Sequence, residues 1–262
     1  MPQLETSDAT LHVEVEGAGS PVTVFAHGLT NSCMELAPFT PIAPGTKVRF
    51  CFRGHGHSSV TPAGTYRFAD LARDVEAVAD AFGATCAFGT SMGAGAITHL
   101  LGRRPDRFER IVFLLPAALD VALAEHGRFD HVAELLETLE RDDAVTRIMA
   151  EADRDGAYEG RPWMREVAML LWQDANPQGL ARAIREVVRD VAISDRELLR
   201  GVQAPVLLVC QEGDPLHPAE LGRVLAEVLP NAELIMLAST DELMASIPML
   251  IDRVGAFLAG ER

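Results

Sequence analysis

The sequence predicts a mostly parallel α/β sheet with helices on both faces and an inserted helical segment. Three observations predict it. Short apolar, β-rich runs alternate with amphipathic helical periods. One run, Thr85-Cys86-Ala87-Phe88, passes through Gly89-Thr90-Ser91-Met92-Gly93 directly into a helical stretch. From about Asp120 to Arg200 only helical periods occur, after which strand-like runs resume.

Taken in order, Thr10 to Glu16 alternates apolar and polar residues, as a half-exposed antiparallel strand should. Gly17-Ala18-Gly19-Ser20-Pro21 is a turn, and Val22 to Ala26 is a strand ending in His27-Gly28-Leu29-Thr30-Asn31. Asn31-Ser32 opens a short helix through Met34-Glu35-Leu36, and Val48 to Phe52 is the next strand. Phe68, Leu71, Val75, Val78 and Phe82 recur at helical spacing up to Gly83, which suits a C-cap. Ile111 to Leu115 is a buried strand closed by Pro116. Helical runs then cover Val132–Leu139, Ala144–Ala152, Met164–Trp172 and Leu180–Val188. Val206 to Cys210 and Ala232 to Leu237 are the last strands, with a helix over Pro218–Val228 and a terminal helix carrying Leu243, Ile247, Leu250, Val254 and Leu258. The expected organisation is a core over 1–118, a helical lid over 119–200 and the rest of the core over 201–262.

At 262 residues the chain can bury one large core. Its net charge of −15, with Lys47 the only lysine, repels phosphate backbones and anionic lipid. No nucleic-acid or membrane partner is expected. Met1-Pro2-Gln3-Leu4-Glu5 lacks the basic and apolar regions of a secretory signal, and Ile111–Leu119 is too short to span a bilayer. The expected compartment is the cytoplasm. Cys33, Cys51, Cys86 and Cys210 lack metal-ligand spacing and read as reduced thiols, mostly buried. No His/carboxylate cluster at metal spacing and no dinucleotide-type glycine motif follows the first strand, so no cofactor is expected. The chain could form a homo-oligomer.

The chemistry centres on Gly89-Thr90-Ser91-Met92-Gly93. A serine on a sharp strand-to-helix turn needs neighbours without a Cβ, because the helix starts close against the strand. The Ser91 hydroxyl then stands clear of the backbone, and the Met92 N–H faces a developing oxyanion. An incidental serine in a glycine-rich turn is the plain alternative.

In order, His27-Gly28, Arg53-Gly54-His55-Gly56, Gly89-Thr90-Ser91-Met92-Gly93 and Gly213-Asp214-Pro215 resemble the α/β-hydrolase superfamily across essentially the whole chain. The resemblance implies an α/β-hydrolase fold with a helical lid, nucleophilic Ser91, and oxyanion N–H groups from Leu29 and Met92. It implies Asp214 as the acid, with Asp120 the position some relatives use instead. It also implies a histidine after the last strand, several residues before a proline. Here Ala238 to Pro248 holds no histidine, and none follows His217; counting back from Pro248, Asp241 occupies roughly that place.

A serine hydroxyl needs a base to take its proton. His217, three residues after Asp214, is near the right rim, although within Asp-Pro-x-x-Pro it reads first as a surface-loop residue. His57, His126 and His131 could face the pocket, while His99 lies too far along its helix. His27, beside the oxyanion loop, reads as structural or as part of the binding site with Gly28. Asp241 is either a base with a raised pKa or a residue capping the last helix with Ser239 or Thr240. Trp163 and Trp172 fit either a pocket wall or the lid's own packing.

Two functions follow. One is hydrolysis of a small, apolar ester, lactone or thioester by Ser91 with an atypical base, the lid shaping an apolar pocket. The other is a non-hydrolytic protein that binds a small apolar ligand or transfers a proton through Asp241.

Overall fold

Alternation along each strand decides how the two faces of the sheet are covered. In the computed structural model, which describes residues 3–41, 43–123 and 126–261, eight strands form one sheet in the order β1-β2-β4-β3-β5-β6-β7-β8. They are β1 (Gln3–Glu5), β2 (Thr10–Gly17), β3 (Val22–Ala26), β4 (Thr46–Phe50), β5 (Cys86–Thr90), β6 (Arg110–Leu114), β7 (Val206–Gln211) and β8 (Ala232–Leu237). β1 and β2 pair antiparallel, as do β2 and β4, and every other pair is parallel. β1 escapes sequence reasoning because three residues are too few to show a period.

Val24, Ala26, Ala87, Ile111 and Leu208 point to one face, where helices α1 (Phe68–Phe82), α2 (Met92–Arg103) and α7 (Ala219–Val228) pack. Their neighbours Phe25, Phe88, Val112 and Leu207 point to the other, against a 3-10 turn at Cys33–Phe39 and helix α8 (Thr240–Ala259). Both faces are therefore buried, which explains strands that read as continuous apolar runs. Gly83 ends α1 at φ 63°, as the sequence anticipates.

Between β6 and β7 lie α3 (Gly127–Thr138), α4 (Arg141–Arg154), α5 (Pro162–Trp172) and α6 (Pro177–Val187). They have a small core of their own, in which Leu136, Met149, Trp172 and Ile184 meet. This segment touches the sheet domain backbone to backbone: a Cβ on Gly179 of α6 would lie 2.5 Å from Gly54 Cα and O. Gly179→Ala is accordingly expected to destabilise the protein by about 1–3 kcal/mol through overpacking. Thermal melts give the loss, and limited proteolysis should find new cuts concentrated between residues 120 and 200. Among the described residues no helix is long and apolar enough to cross a membrane.

Candidate active site

The site is built where the carboxyl ends of β3, β5 and β7 come together. Ser91 sits between β5 and α2 with φ 49° and ψ −111°, a backbone region that non-glycine residues avoid. What holds it there is close packing. A Cβ on Gly93 would lie 2.1 Å from Ala26 O and 2.8 Å from His27 O, so the start of α2 rests directly on the end of β3. That contact puts the His27–Asn31 loop beside Ser91.

His217 Nε2 lies 3.1 Å from Ser91 Oγ, and His217 Nδ1 lies 2.8 Å from Asp214 Oδ2. The histidine reaches this place by an Asx turn. Asp214 Oδ1 accepts from the Leu216 N–H at 2.9 Å and the His217 N–H at 3.3 Å, which folds the chain back so that the ring meets its own loop's carboxylate. Gln211, buried at the end of β7, donates through Nε2 to Asp214 Oδ2 at 2.8 Å and to Thr240 Oγ1 at 3.2 Å. Burial alone would raise the Asp214 pKa, but the bonds from His217, Leu216 and Gln211 outweigh it and hold the carboxyl at about 2. Asp214 is thus an anion across the working pH range. With a neutral imidazole, Nδ1–H donates to that anion and Nε2 is left free to accept from the Ser91 hydroxyl.

The His27–Asn31 loop beside Ser91 is fixed by groups the sequence only partly signals. His27 Nε2 accepts from the Phe52 N–H at 3.0 Å, so its Nδ1–H donates to Gly28 O at 2.7 Å. Burial drives the His27 pKa far down, in keeping with a neutral ring. Because the Gly28 carbonyl and the Leu29 N–H share one peptide plane, this bond orients the Leu29 donor. Glu35 lies beneath the same loop and accepts from Gly28 N and Asn31 Nδ2.

Ser91, His217, Gly28, Leu29 and Glu35 line a cavity of about 310 Å³. Its walls are largely apolar, with Leu115, Ala118, Phe129, Val187 and Leu216 facing in. The charged or titratable side chains among the described lining residues are Glu35, Asp190 and His217; no lysine or arginine is among them. His217 is also the one histidine among the described lining residues.

Four expectations are corrected by this geometry. Asp241 does not enter the site: α8 begins eight residues before Pro248, so Asp241 falls in its exposed first turn and pairs with Arg161 at 3.3 Å. Ser239 caps that helix by accepting from the Glu242 N–H. Trp172 packs in the core of the helical segment and Trp163 is exposed, so neither lines the cavity. His27 is a buried strut behind Gly28 and not part of the wall. Folding also gathers ligand atoms of His12, Glu14 and Cys33 within 4.8 Å of one another, which sequence spacing does not reveal. Ordinary pairing accounts for that group, since Arg49 Nη2 already lies 2.7 Å from Glu14 Oε2.

The remaining candidates lie elsewhere. Asp120 is held by two bonds from Arg196, at 2.5 and 2.7 Å. His99 bonds to Ala192 O, His131 to Glu151, and His57 pairs with Asp174 at 3.7 Å. Sequence reasoning missed Gln211 and Glu35. Gln211 had a signal, as a polar residue ending the apolar run Val206–Cys210; Glu35 had none.

With fold and geometry in hand, the chain belongs to the family described as the alpha/beta hydrolase fold, whose model matches residues 48–243. It is 28% identical over 245 residues to a pimeloyl-[acyl-carrier protein] methyl ester esterase of Chromobacterium violaceum, covering 86% of this chain and 87% of that protein. It is 31% identical over 192 residues to 3-oxoadipate enol-lactonase 2 of Acinetobacter baylyi, covering 72% and 68%. The crystal structure of the enol-lactonase from Burkholderia xenovorans LB400 superposes with a TM-score of 0.80 at 21% identity, over 98% of this chain and 100% of that one. At that identity the likeness speaks for the fold.

Proposed function

We propose that the protein is a serine hydrolase that cleaves small, uncharged carboxylic esters or lactones. One observation carries the reading: a single imidazole, His217, bridges Ser91 Oγ and the Asp214 carboxylate. Ser91 Oγ attacks the acyl carbon while its proton passes to His217 Nε2, and Asp214 stabilises the imidazolium through Nδ1–H. The carbonyl oxygen becomes an oxyanion, received by the Leu29 and Met92 N–H groups. Collapse of the tetrahedral intermediate breaks the acyl–oxygen bond, and His217 returns its proton to the departing alkoxide. Water repeats the sequence on acyl-Ser91 and releases the acid. In a lactone the leaving alcohol stays attached to the acyl chain.

The substrate class follows from the cavity. Its walls are apolar, and Asp190, with no lysine or arginine among the described lining residues, disfavours a substrate carboxylate. The relatives named as an esterase and an enol-lactonase support ester and lactone chemistry. Helices α3–α6 act as a lid, because Phe129 and Val187, from α3 and α6, close the outer wall.

The test is fluorophosphonate labelling of the purified protein, read by intact mass and peptide mapping. The expected result is one adduct, at Ser91, abolished in Ser91→Ala. His217→Ala should slow labelling by at least about 10³-fold, since the nucleophile loses its base. A folded protein that takes no label over hours sinks the proposal.

A further inference from the structure

Glu35 is a carboxyl inside the cavity that the acyl-transfer steps above do not use. It extends from the 3-10 turn at Cys33–Phe39 back beneath the oxyanion loop. Oε2 accepts from the Gly28 N–H at 2.6 Å and Oε1 from Asn31 Nδ2 at 2.5 Å, so both of its partners belong to that loop. A Cβ on Gly28 would lie 3.3 Å from each carboxyl oxygen and 3.4 Å from Ser91 Cβ. Only the Gly28 Cα region separates the carboxyl from the nucleophile.

No cation answers it among the described residues. On β4, which packs against the same turn, Arg49 points to Glu14 and Glu16. His27, at the end of β3, is neutral and occupied by Phe52 N and Gly28 O. Across the cavity His217 is bound to Asp214 and Ser91, and Asp190 accepts from the Phe68 N–H. On α8, Asp241 pairs with Arg161 and Glu242 caps Ala238 N. Burial pushes the Glu35 pKa up, the bonds from Gly28 and Asn31 offset this only in part, and the carboxyl settles at about 7.

We propose that Glu35 is a positioning residue of the oxyanion loop that serves in its neutral form. Protonated, its carbonyl oxygen accepts from the Gly28 N–H and its O–H donates to Asn31 once that amide turns its Oδ1 inward, so the loop is held without adding charge beside the oxyanion. Ionised, it accepts from both but sets a negative charge one residue from the Leu29 N–H, where the transition state gathers another. Acylation of Ser91 therefore falls as Glu35 loses its proton. This rests on the serine-hydrolase reading above.

The experiment is the rate of Ser91 labelling by a fluorophosphonate, and of acylation by p-nitrophenyl acetate, between about pH 5 and 10. In the wild type the rate should fall, on the order of tenfold, as Glu35 ionises. Glu35→Gln is neutral and matches the protonated acid, its amide oxygen accepting from the Gly28 N–H and its NH2 donating to Asn31 once that amide turns its Oδ1 inward; it should lose the fall. Glu35→Leu, which keeps neither bond, should also lose the fall but run slower throughout. A second readout does not involve activity. The folded state keeps a proton that the unfolded chain gives up between 4.5 and about 7, so wild-type stability should decline with pH through that window. In Glu35→Gln that component should be absent. A wild-type profile flat on its alkaline side, or the same alkaline fall in Glu35→Gln, overturns the inference and leaves the hydrolase reading standing. Absence of labelling at every pH removes both.

Discussion

His217→Ala is expected to lower kcat/KM on a simple ester by about 10⁴- to 10⁶-fold, with little change in folding. The size follows from its position between Ser91 Oγ and Asp214 Oδ2. Without the imidazole, the serine proton has no acceptor and the leaving alkoxide has no donor, while the oxyanion loop and cavity remain. Residues that act as a unit lose activity together, so the Ser91→Ala/His217→Ala double variant should be no worse than either single one. Asp241→Asn is the control, since Asp241 is exposed in the first turn of α8 and should leave kcat/KM unchanged. Steady-state kinetics with p-nitrophenyl esters decide the matter. Full activity in His217→Ala, or a large loss in Asp241→Asn, would return the base to the end of β8. Asp214, held at about 2, stays ionised across the pH range of the assay and should contribute nothing to the pH dependence.

What was legible in the sequence was whatever depended on a backbone constraint. The strands show as apolar runs because both faces of the sheet are covered. Gly93 marks the tight turn because any side chain there would strike Ala26 O. Asp214 is named through the family resemblance, which puts the acid after a late strand. His217 could be named but not chosen, because its role depends on the Asx turn that Asp214 makes with Leu216 and His217, and Asp-Pro-x-x-Pro looks like any surface turn. Asp241 misled for the converse reason. Counting back from Pro248 assumes that the helix opens there, whereas α8 starts at Thr240 and runs through the proline. Glu35 had no signal, since a short 3-10 turn shows no period and its side chain is placed by two bonds to a distant loop.

The second large effect is expected at Asp74, far from the chemistry. Arg53 and Asp74 are both fully buried, and the guanidinium donates to Asp74 through Nε and Nη2, at 2.7 to 3.2 Å. Its other partners are the half-exposed Asp8 and the Thr65 carbonyl. Asp74→Ala leaves a buried cation with too few acceptors and should cost about 3–5 kcal/mol, read as a lower denaturation midpoint. Replacing both charges with apolar residues, as in Arg53→Met/Asp74→Leu, should recover much of that loss, because desolvation of the pair is removed as well. The consequence should not stop at stability. Asp74 also accepts from the Arg53 N–H, the next residue back presents its N–H to His27, and His27 holds the Gly28 carbonyl whose peptide carries the Leu29 N–H. The double variant, although folded, should therefore lose kcat more than it changes KM, because an oxyanion donor acts in the transition state and not on bound substrate. Wild-type kcat in a stable double variant would mean that the Phe52–His27–Gly28 relay holds the loop without help from the buried pair.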